Sequence, residues 1–387
     1  MKKVCIDLSP NEMHDRHGGF GRYAYYLLES LLALPEIERQ DIELWALVRS
    51  DRPPVPAHQA LDRSVLNSEP ISEGRHNWQR RIMLGPLLKS AGIDVFHATV
   101  INALPVTVGC KVVATSHDLV PLVLPQRATG WQAKLDQRLR RRWRQVRHRR
   151  PDHIIAISET TKRDLVKVLE VPSDSISVVH HGIDRDRFGV EAAEGEREFL
   201  QQKYDLPNRY FISVGSDQYR KNQTRLYEAW VQASPFIDEG LVLVGRSLYG
   251  EVFQSIVAEA KRAGKLDRLR WLDSVDDAAE LAALYRQSTA SVAPSLYEGF
   301  GFTLLESMAC GTPVIASRQS AHQEVAGDAA EFFEPKSAAG LGAVLRRLGQ
   351  DRKIRTDLRE KGLNRVDSFT WPRAARESLA VYRQIFQ

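Results

Sequence analysis

The sequence predicts an α/β protein of two similar domains, each a parallel sheet flanked by helices. Three observations predict it. Short runs rich in aliphatic and β-branched residues alternate with helical patterns from end to end, the signature of α/β units with parallel strands. The chain has 387 residues, beyond the size at which a single hydrophobic core keeps growing. The apolar rhythm lapses in RDRFGVEAAEGERE, the polar stretch after Asp184, which reads as a connector leading into a helix. The expected division is therefore 1–190, 191–368 and a terminal helix over 369–387.

In the first half the expected strands are Val4 to Leu8, Ile42 to Val48, Val95 to Ala98, Val112 to Ser116, Ile154 to Ile157 and Ile176 to Val179. Between them, Tyr23, Tyr26, Leu27, Ser30 and Leu31 recur with helical period and predict a helix over Tyr23 to Leu34. Ser158 is placed to cap a helix over Thr160 to Leu169, with Glu159 favourable to its dipole. The second half offers strands at Tyr210 to Val214, Leu241 to Val244, Leu269 to Leu272, Ser291 to Ala293 and Val314 to Ala316. Pro372, after Trp371, suits the first turn of the terminal helix.

Hydrophobic residues at 43% and charged residues at 27% are ordinary for a globular protein and exclude extensive disorder. The apolar run after Lys2 and Lys3 breaks at Asp7 and Pro10, short of a signal-peptide core, and no stretch approaches the roughly 20 apolar residues of a membrane span. Cys5, Cys110 and Cys310 are far apart, with no zinc or disulfide spacing. The expected place is the cytoplasm, with contact at the inner face of the membrane left open.

A formal charge of +5 suits an anionic partner but does not choose one. Much of it sits between Arg138 and Arg150, where eight arginines surround Trp143. Leu135, Leu139, Trp143 and Val146 recur there at helical spacing, either as the apolar side of a helix lying on a membrane or as a stripe packed against the domain's own sheet. No aromatic platform or nucleic-acid motif accompanies the charge, so nucleic acid is not expected as a partner.

The strongest local signal is the string from Pro294 to Glu306, PSLYEGFGFTLLE, which follows a strand and opens a helix. A glycine-containing turn lets backbone approach a ligand. Free N–H groups at Phe302, Thr303 and Leu304, with the helix dipole, favour an anion such as diphosphate. Glu306 lies about one turn in, placed to accept from ribose hydroxyls, and Glu298 precedes the turn. A solvated turn with incidental acids is the alternative.

This string resembles the Glu, seven residues, Glu signature of retaining GT-B glycosyltransferases, the large bacterial family 4 that includes many mannosyltransferases. The resemblance implies two Rossmann-like domains facing across a cleft and a nucleotide-sugar donor bound through Glu298, Gly299, Phe300, Gly301, Phe302, Thr303, Leu304 and Glu306. It extends to Gly215-Ser-Asp-Gln-Tyr-Arg-Lys-Asn222, similar to the family's basic loop, which implies that Arg220 and Lys221 grip the diphosphate. A lysine there neutralises leaving-group charge in place of a divalent ion. Some members carry arginine where this chain has Ser216, a departure that Arg220 would have to make good.

In the amino-terminal half, Gly18-Gly-Phe-Gly21 resembles the family's glycine loop, which implies donor contacts at Gly18 and Gly19; alone, it lacks dinucleotide-fingerprint spacing. Ser116-His117-Asp118 resembles the active-site histidine segment, which implies that His117 lies near the transferred sugar; His97 is given a supporting part. Ser274 and Val275 match the place where members bind the base through backbone groups, while Asp276 and Asp277 are read as helix caps. Asp184-Arg-Asp186 imitates an Asp-x-Asp metal motif but sits in the connector, so no metal ligand and no cofactor is expected. The resemblance implies catalytic roles for His117, Lys221 and Glu298, and transfer of mannose or a related hexose to a glycan or lipid-linked acceptor in cell-surface polysaccharide synthesis. A sugar-nucleotide epimerase of the same architecture and a non-catalytic nucleotide-sugar-binding protein remain alternatives.

Overall fold

The computed structural model describes residues 1–8, 19–49, 65–68, 77–124, 131–247, 252–319 and 321–386. The chain forms two compact units: Met1–Gly182 together with Thr370–Gln387, and Ile183–Phe369. The connector from Ile183 thus groups with the second unit, eight residues before the boundary expected from composition. Asp184 explains its local order, since its carboxylate accepts from the amides of Asp186 (3.1 Å) and Arg187 (3.3 Å).

In the first unit, β1 (Lys2–Asp7), β2 (Ile42–Arg49), β3 (Val65–Ser68), β4 (Val95–Ala98), β5 (Lys111–Ser116), β6 (His153–Ala156) and β7 (Ile176–Val178) form one sheet in the order β3-β2-β1-β4-β5-β6-β7. Its pairings are parallel throughout. The helix Gly19–Ala33 buries Tyr23, Ala24, Leu27, Leu28 and Leu31, a stripe turned slightly from the expected one, with Tyr26 and Ser30 only half-buried. Ser158 caps Glu159–Leu169 as its position predicts, accepting from the Thr161 amide at 3.0 Å.

The terminal helix Trp371–Gln384 belongs to this first unit, capped by Thr370. Trp371 stacks on Tyr26 with ring centroids 5.3 Å apart, and Tyr382 hydroxyl meets His97 Nδ1 at 2.7 Å. His97 is fully buried, and its Nε2 meets Thr115 Oγ1 at 2.8 Å. Both ring nitrogens are therefore structural pins, one of them holding the end of the chain to the sheet.

The second unit contains β8 (Tyr210–Val214), β9 (Gly240–Val244), β10 (Leu269–Leu272), β11 (Ala290–Ala293), β12 (Val314–Ser317) and β13 (Ala330–Phe333), again all parallel, in the order β10-β9-β8-β11-β12-β13. The strands β9, β11 and β12 are buried along their whole length. That is the expected state of parallel strands covered by helices on both faces. Trp230 and Tyr227 on the helix Gln223–Ala233 fill one side of the sheet with Phe211 and Phe253, and Trp230 Nε1 donates to the Glu239 carbonyl at 3.0 Å.

Candidate functional site

Parallel α/β sheets bind ligands outside the carboxyl ends of their strands, where the strand order reverses. In the second unit that reversal falls between β8 and β11. The loops leaving these two strands carry the basic string after Gly215 and the acidic string after Pro294, so topology alone brings the two motifs to one place.

Backbone and side-chain bonds lock these loops together. The Leu296 amide donates to the Arg220 carbonyl at 2.7 Å, and Asn222, in the left-handed region at φ 56°, sends its Nδ2 to the carbonyls of Pro294 (3.1 Å) and Pro335 (2.9 Å). Beside them β9 is followed by Gly245, where a Cβ would stand only 2.2 Å from the Gly215 carbonyl oxygen. Any side chain there would push the basic loop away. Gly301, at φ 151°, begins the helix Phe302–Ala309 in a conformation that favours glycine.

At the centre stands Glu298. Its Oε2 accepts from Arg220 Nη1 at 2.5 Å, and its Oε1 accepts from Lys221 Nζ at 2.7 Å and from Ser295 Oγ at 2.7 Å. Burial pushes this carboxyl upward, but Lys221, Arg220 and His322 pull harder, and its pKa settles at about 2. The carboxylate is ionised at neutral pH. It can accept hydrogen bonds and hold cations in place, but it cannot serve as a proton donor there.

The helix mouth differs in one respect from the sequence expectation. The Leu304 amide already donates to the Gly301 carbonyl at 3.0 Å, so it is not the free donor expected. Gly301, Phe302 and Thr303 remain half-buried at the mouth, whereas Gly299 and Phe300 are buried, Phe300 edge-on to Phe302 at 5.5 Å. Glu306 is 2% exposed and accepts from the Tyr285 hydroxyl at 3.3 Å, which holds the carboxylate in the buried interior beside the helix Ala278–Gln287. Ser216 is half-buried at the end of β8. Ser274 and Val275 leave β10 at the same carboxyl edge, two strands from β8, Ser274 exposed and Val275 half-buried. Asp277 caps the following helix, accepting from Ala279; Asp276 instead pairs with Arg246 at 3.7 Å.

Two contributors escape the sequence reading. Ser295 completes the ring of donors around Glu298. His322, five residues past β12, is buried against the same loop, with its Cδ2 3.7 Å from where a Cβ on Gly301 would lie. A buried histidine close to the carboxyl ends of the strands is the signal that could have found it.

In the first unit, Gly18 lies outside the described residues, and Gly19 is the first residue of its helix. His117, after β5, donates from Nε2 to the Thr99 carbonyl at 2.8 Å. Burial lowers its pKa to about 4, against the opposing pull of that bond, so the ring is neutral at pH 7. Its neighbours are Tyr23, edge-on at 5.1 Å, and His181 at 5.5 Å, a second histidine the sequence reading passed over.

On the helix Trp131–His148, Leu135, Leu139, Trp143 (53% exposed) and Val146 (60% exposed) face outward, which removes the reading in which this stripe packs on the sheet. Arg147, 4% exposed, points inward instead. Arg147 donates to the carbonyls of Ile101 and Asn102, and Arg150 to those of Pro105 and Val106. Among the described residues no helix is long and apolar enough to cross a membrane.

Residues 17–187 match the family described as Glycosyltransferase Family 4, and residues 196–365 the one described as Glycosyl transferases group 1. The serotype-specific mannosyltransferase WbdA of Escherichia coli is 25% identical over 283 residues, 72% of this chain but 34% of WbdA, so the chain spans about a third of that relative's length. O-antigen chain mannosyltransferase B of Escherichia coli is 28% identical over 235 residues, 59% of this chain and 60% of its own. Among solved structures, HepE of Anabaena in complex with UDP and glucose superposes with a TM-score of 0.70 at 17% identity, over 99% of this chain and 100% of HepE. Likeness at that identity establishes the fold, which is GT-B.

Proposed function

We propose that this chain, whose amino-terminal half matches Glycosyltransferase Family 4 and whose carboxyl-terminal half matches Glycosyl transferases group 1, is a glycosyltransferase that transfers a hexose with retention of configuration. The sugar is mannose or a close relative, carried on a nucleoside diphosphate. The acceptor is a glycan or lipid-linked oligosaccharide of a cell-surface polysaccharide, in keeping with the mannosyltransferases among its relatives. The observation that carries the reading is the convergence of Arg220, Lys221 and Glu298 at the strand-order reversal, beside a helix mouth. Two cations fixed by one carboxylate form a seat for an anion that is rigid before the anion arrives.

In the proposed reaction the acceptor oxygen bonds to the anomeric carbon on the face from which the diphosphate departs. The bond between that carbon and the phosphate oxygen breaks, and the acceptor's proton passes to the departing phosphate. Lys221 and Arg220 take up the developing negative charge without a bound metal ion. Glu298 orients sugar hydroxyls as an ionised acceptor, and His117 binds substrate as a neutral imidazole. A lipid-linked acceptor would suit a protein resting on an anionic bilayer through the outward stripe of Trp131–His148, at the cytoplasmic face of the membrane.

The test is transfer from nucleotide sugars measured in the presence of a chelator, with Lys221→Ala alongside. Loss of charge stabilisation should slow turnover at least tenfold, about 1.4 kcal/mol of barrier. Near-normal turnover by the variant removes the lysine from the chemistry, and activity that appears only with added divalent ion refutes the cationic seat.

A further inference from the structure

His322 is 1% exposed, and one of its nitrogens has no partner among the described residues. Its Nδ1 lies 3.1 Å from Ser317 Oγ and 3.3 Å from the Ser317 carbonyl oxygen. The carbonyl only accepts, and the single hydroxyl proton of Ser317 goes to the Ser295 carbonyl at 2.5 Å. Both Ser317 oxygens therefore present lone pairs to the ring, and Nδ1 must carry the proton. The tautomer is fixed, leaving a lone pair on Nε2.

That Nε2 is buried and makes no hydrogen bond among the described residues. Buried polar atoms without partners are uncommon, and one beside a ligand loop invites a ligand group. The ring borders the loop that carries Glu298 into the helix mouth: a Cβ on Gly301 would lie 3.7 Å from Cδ2. Burial lowers its pKa to about 4, with Lys221 adding to the effect and Glu298 opposing it, so the ring stays neutral.

We infer that His322 Nε2 accepts a hydrogen bond from a hydroxyl of the donor's sugar ring and so helps to select the sugar. The inference rests on the nucleotide-sugar reading above. A phosphate oxygen offers only lone pairs and would repel Nε2, whereas a hydroxyl brings the proton this atom lacks. Glu298 cannot take over the task at Oε1, where Lys221 and Ser295 already occupy both lone pairs.

The experiment compares His322→Leu with the wild-type chain in calorimetric titrations with GDP-mannose and UDP-glucose, and with GDP and UDP alone. The variant should bind the preferred donor sugar about three- to tenfold more weakly, the worth of one neutral hydrogen bond, and its nucleoside diphosphate unchanged. His322→Gln, which returns an acceptor near the same place, should recover part of the loss. A deoxy analogue lacking the contacted hydroxyl should bind wild type and His322→Leu alike. Equal losses for donor sugar and diphosphate would make His322 a structural residue, and unchanged donor binding would overturn the inference outright. A wild-type chain that ignores every probe would refute the nucleotide-sugar reading and this inference with it. Should His322→Leu not fold, His322→Gln and the deoxy series decide by the same criteria.

Discussion

Replacing Glu298 by Gln removes one negative charge from between two cations while keeping the side chain's shape. The carboxyl has its pKa at about 2 against an ordinary 4.5, a gap equivalent to about 3 kcal/mol in favour of the ionised form. The side chain is 15% exposed, so little of this is screened by water. A depressed carboxylate contributes fully above its unfolded pKa, and the contribution is lost as the pH falls from about 4.5 through about 2. At pH 7 the variant should therefore be less stable by about 3 kcal/mol. For a domain the size of the carboxyl-terminal unit, that lowers its melting transition by about 6–12 °C.

The loss should also be recoverable by an anion. Arg220 and Lys221, stripped of their counter-charge, gain more from a bound diphosphate than they do in the wild type. Differential scanning calorimetry with and without inorganic pyrophosphate reads both effects, and hydrogen exchange in β8 and β11 locates them. The expected pattern is a large gap at pH 7, a narrowing gap below pH 4.5, and a greater pyrophosphate-induced shift in Glu298→Gln. A variant that melts with the wild type at pH 7, or gains no more from pyrophosphate, would refute the idea that this carboxylate holds a seat for diphosphate.

Three other outcomes are expected, beyond the loss of turnover in Lys221→Ala. Tyr382→Phe leaves His97 Nδ1 buried without its partner and should cost about 1–3 kcal/mol, seen as earlier release of the carboxyl-terminal segment in limited proteolysis. His97 and His117 have pKa values of about 3 and about 4 in the folded chain. The unfolded chain therefore takes up protons first as the pH falls below 6.5, and stability should drop by about 2 kcal/mol per histidine at pH 5 in denaturant titrations. Trp143→Ser, at an outward position, should leave the melting temperature within about 1 °C while reducing co-sedimentation with vesicles containing anionic lipid; unchanged co-sedimentation would dismiss the membrane contact.

Much of this fold is legible because parallel strands buried on both faces must read as unbroken apolar runs, as in Leu241–Val244 and Val314–Ala316. The strands that went unseen, Val65–Ser68 and Ala330–Phe333, are sheet edges. One is VLNS and the other has two half-buried residues, so neither needs an apolar run. The motif residues Arg220, Lys221 and Glu298 were legible for another reason: each sits in a short contiguous string that resembles a family motif. Ser295 makes a local contact, three residues before Glu298, that no motif marks, whereas His322 is brought beside the same loop by the lateral order of β11 and β12, a non-local fact with no record in spacing. The amphipathic stripe of Trp131–His148 shows the limit of periodicity. A helical repeat says that four apolar residues share a face, not which way it points, and here Arg147 took the inward side.

The lone-pair count at Glu298 ties these features together. A carboxylate offers about four acceptor sites, and at Oε1 both are taken, one by Lys221 and one by Ser295. A residue holding two cations at 2.5 and 2.7 Å can therefore orient a sugar hydroxyl only through Oε2, and reading several hydroxyls takes a further acceptor beside it. If charge is handled by Arg220, Lys221 and Glu298, recognition of the sugar must draw on acceptors nearby, and the buried, tautomer-locked Nε2 of His322 has the required chemistry. Charge stabilisation and sugar selection then reside on loops from different strands. Substitutions at 221 should appear in turnover for every donor, and substitutions at 322 in the ratio between donors.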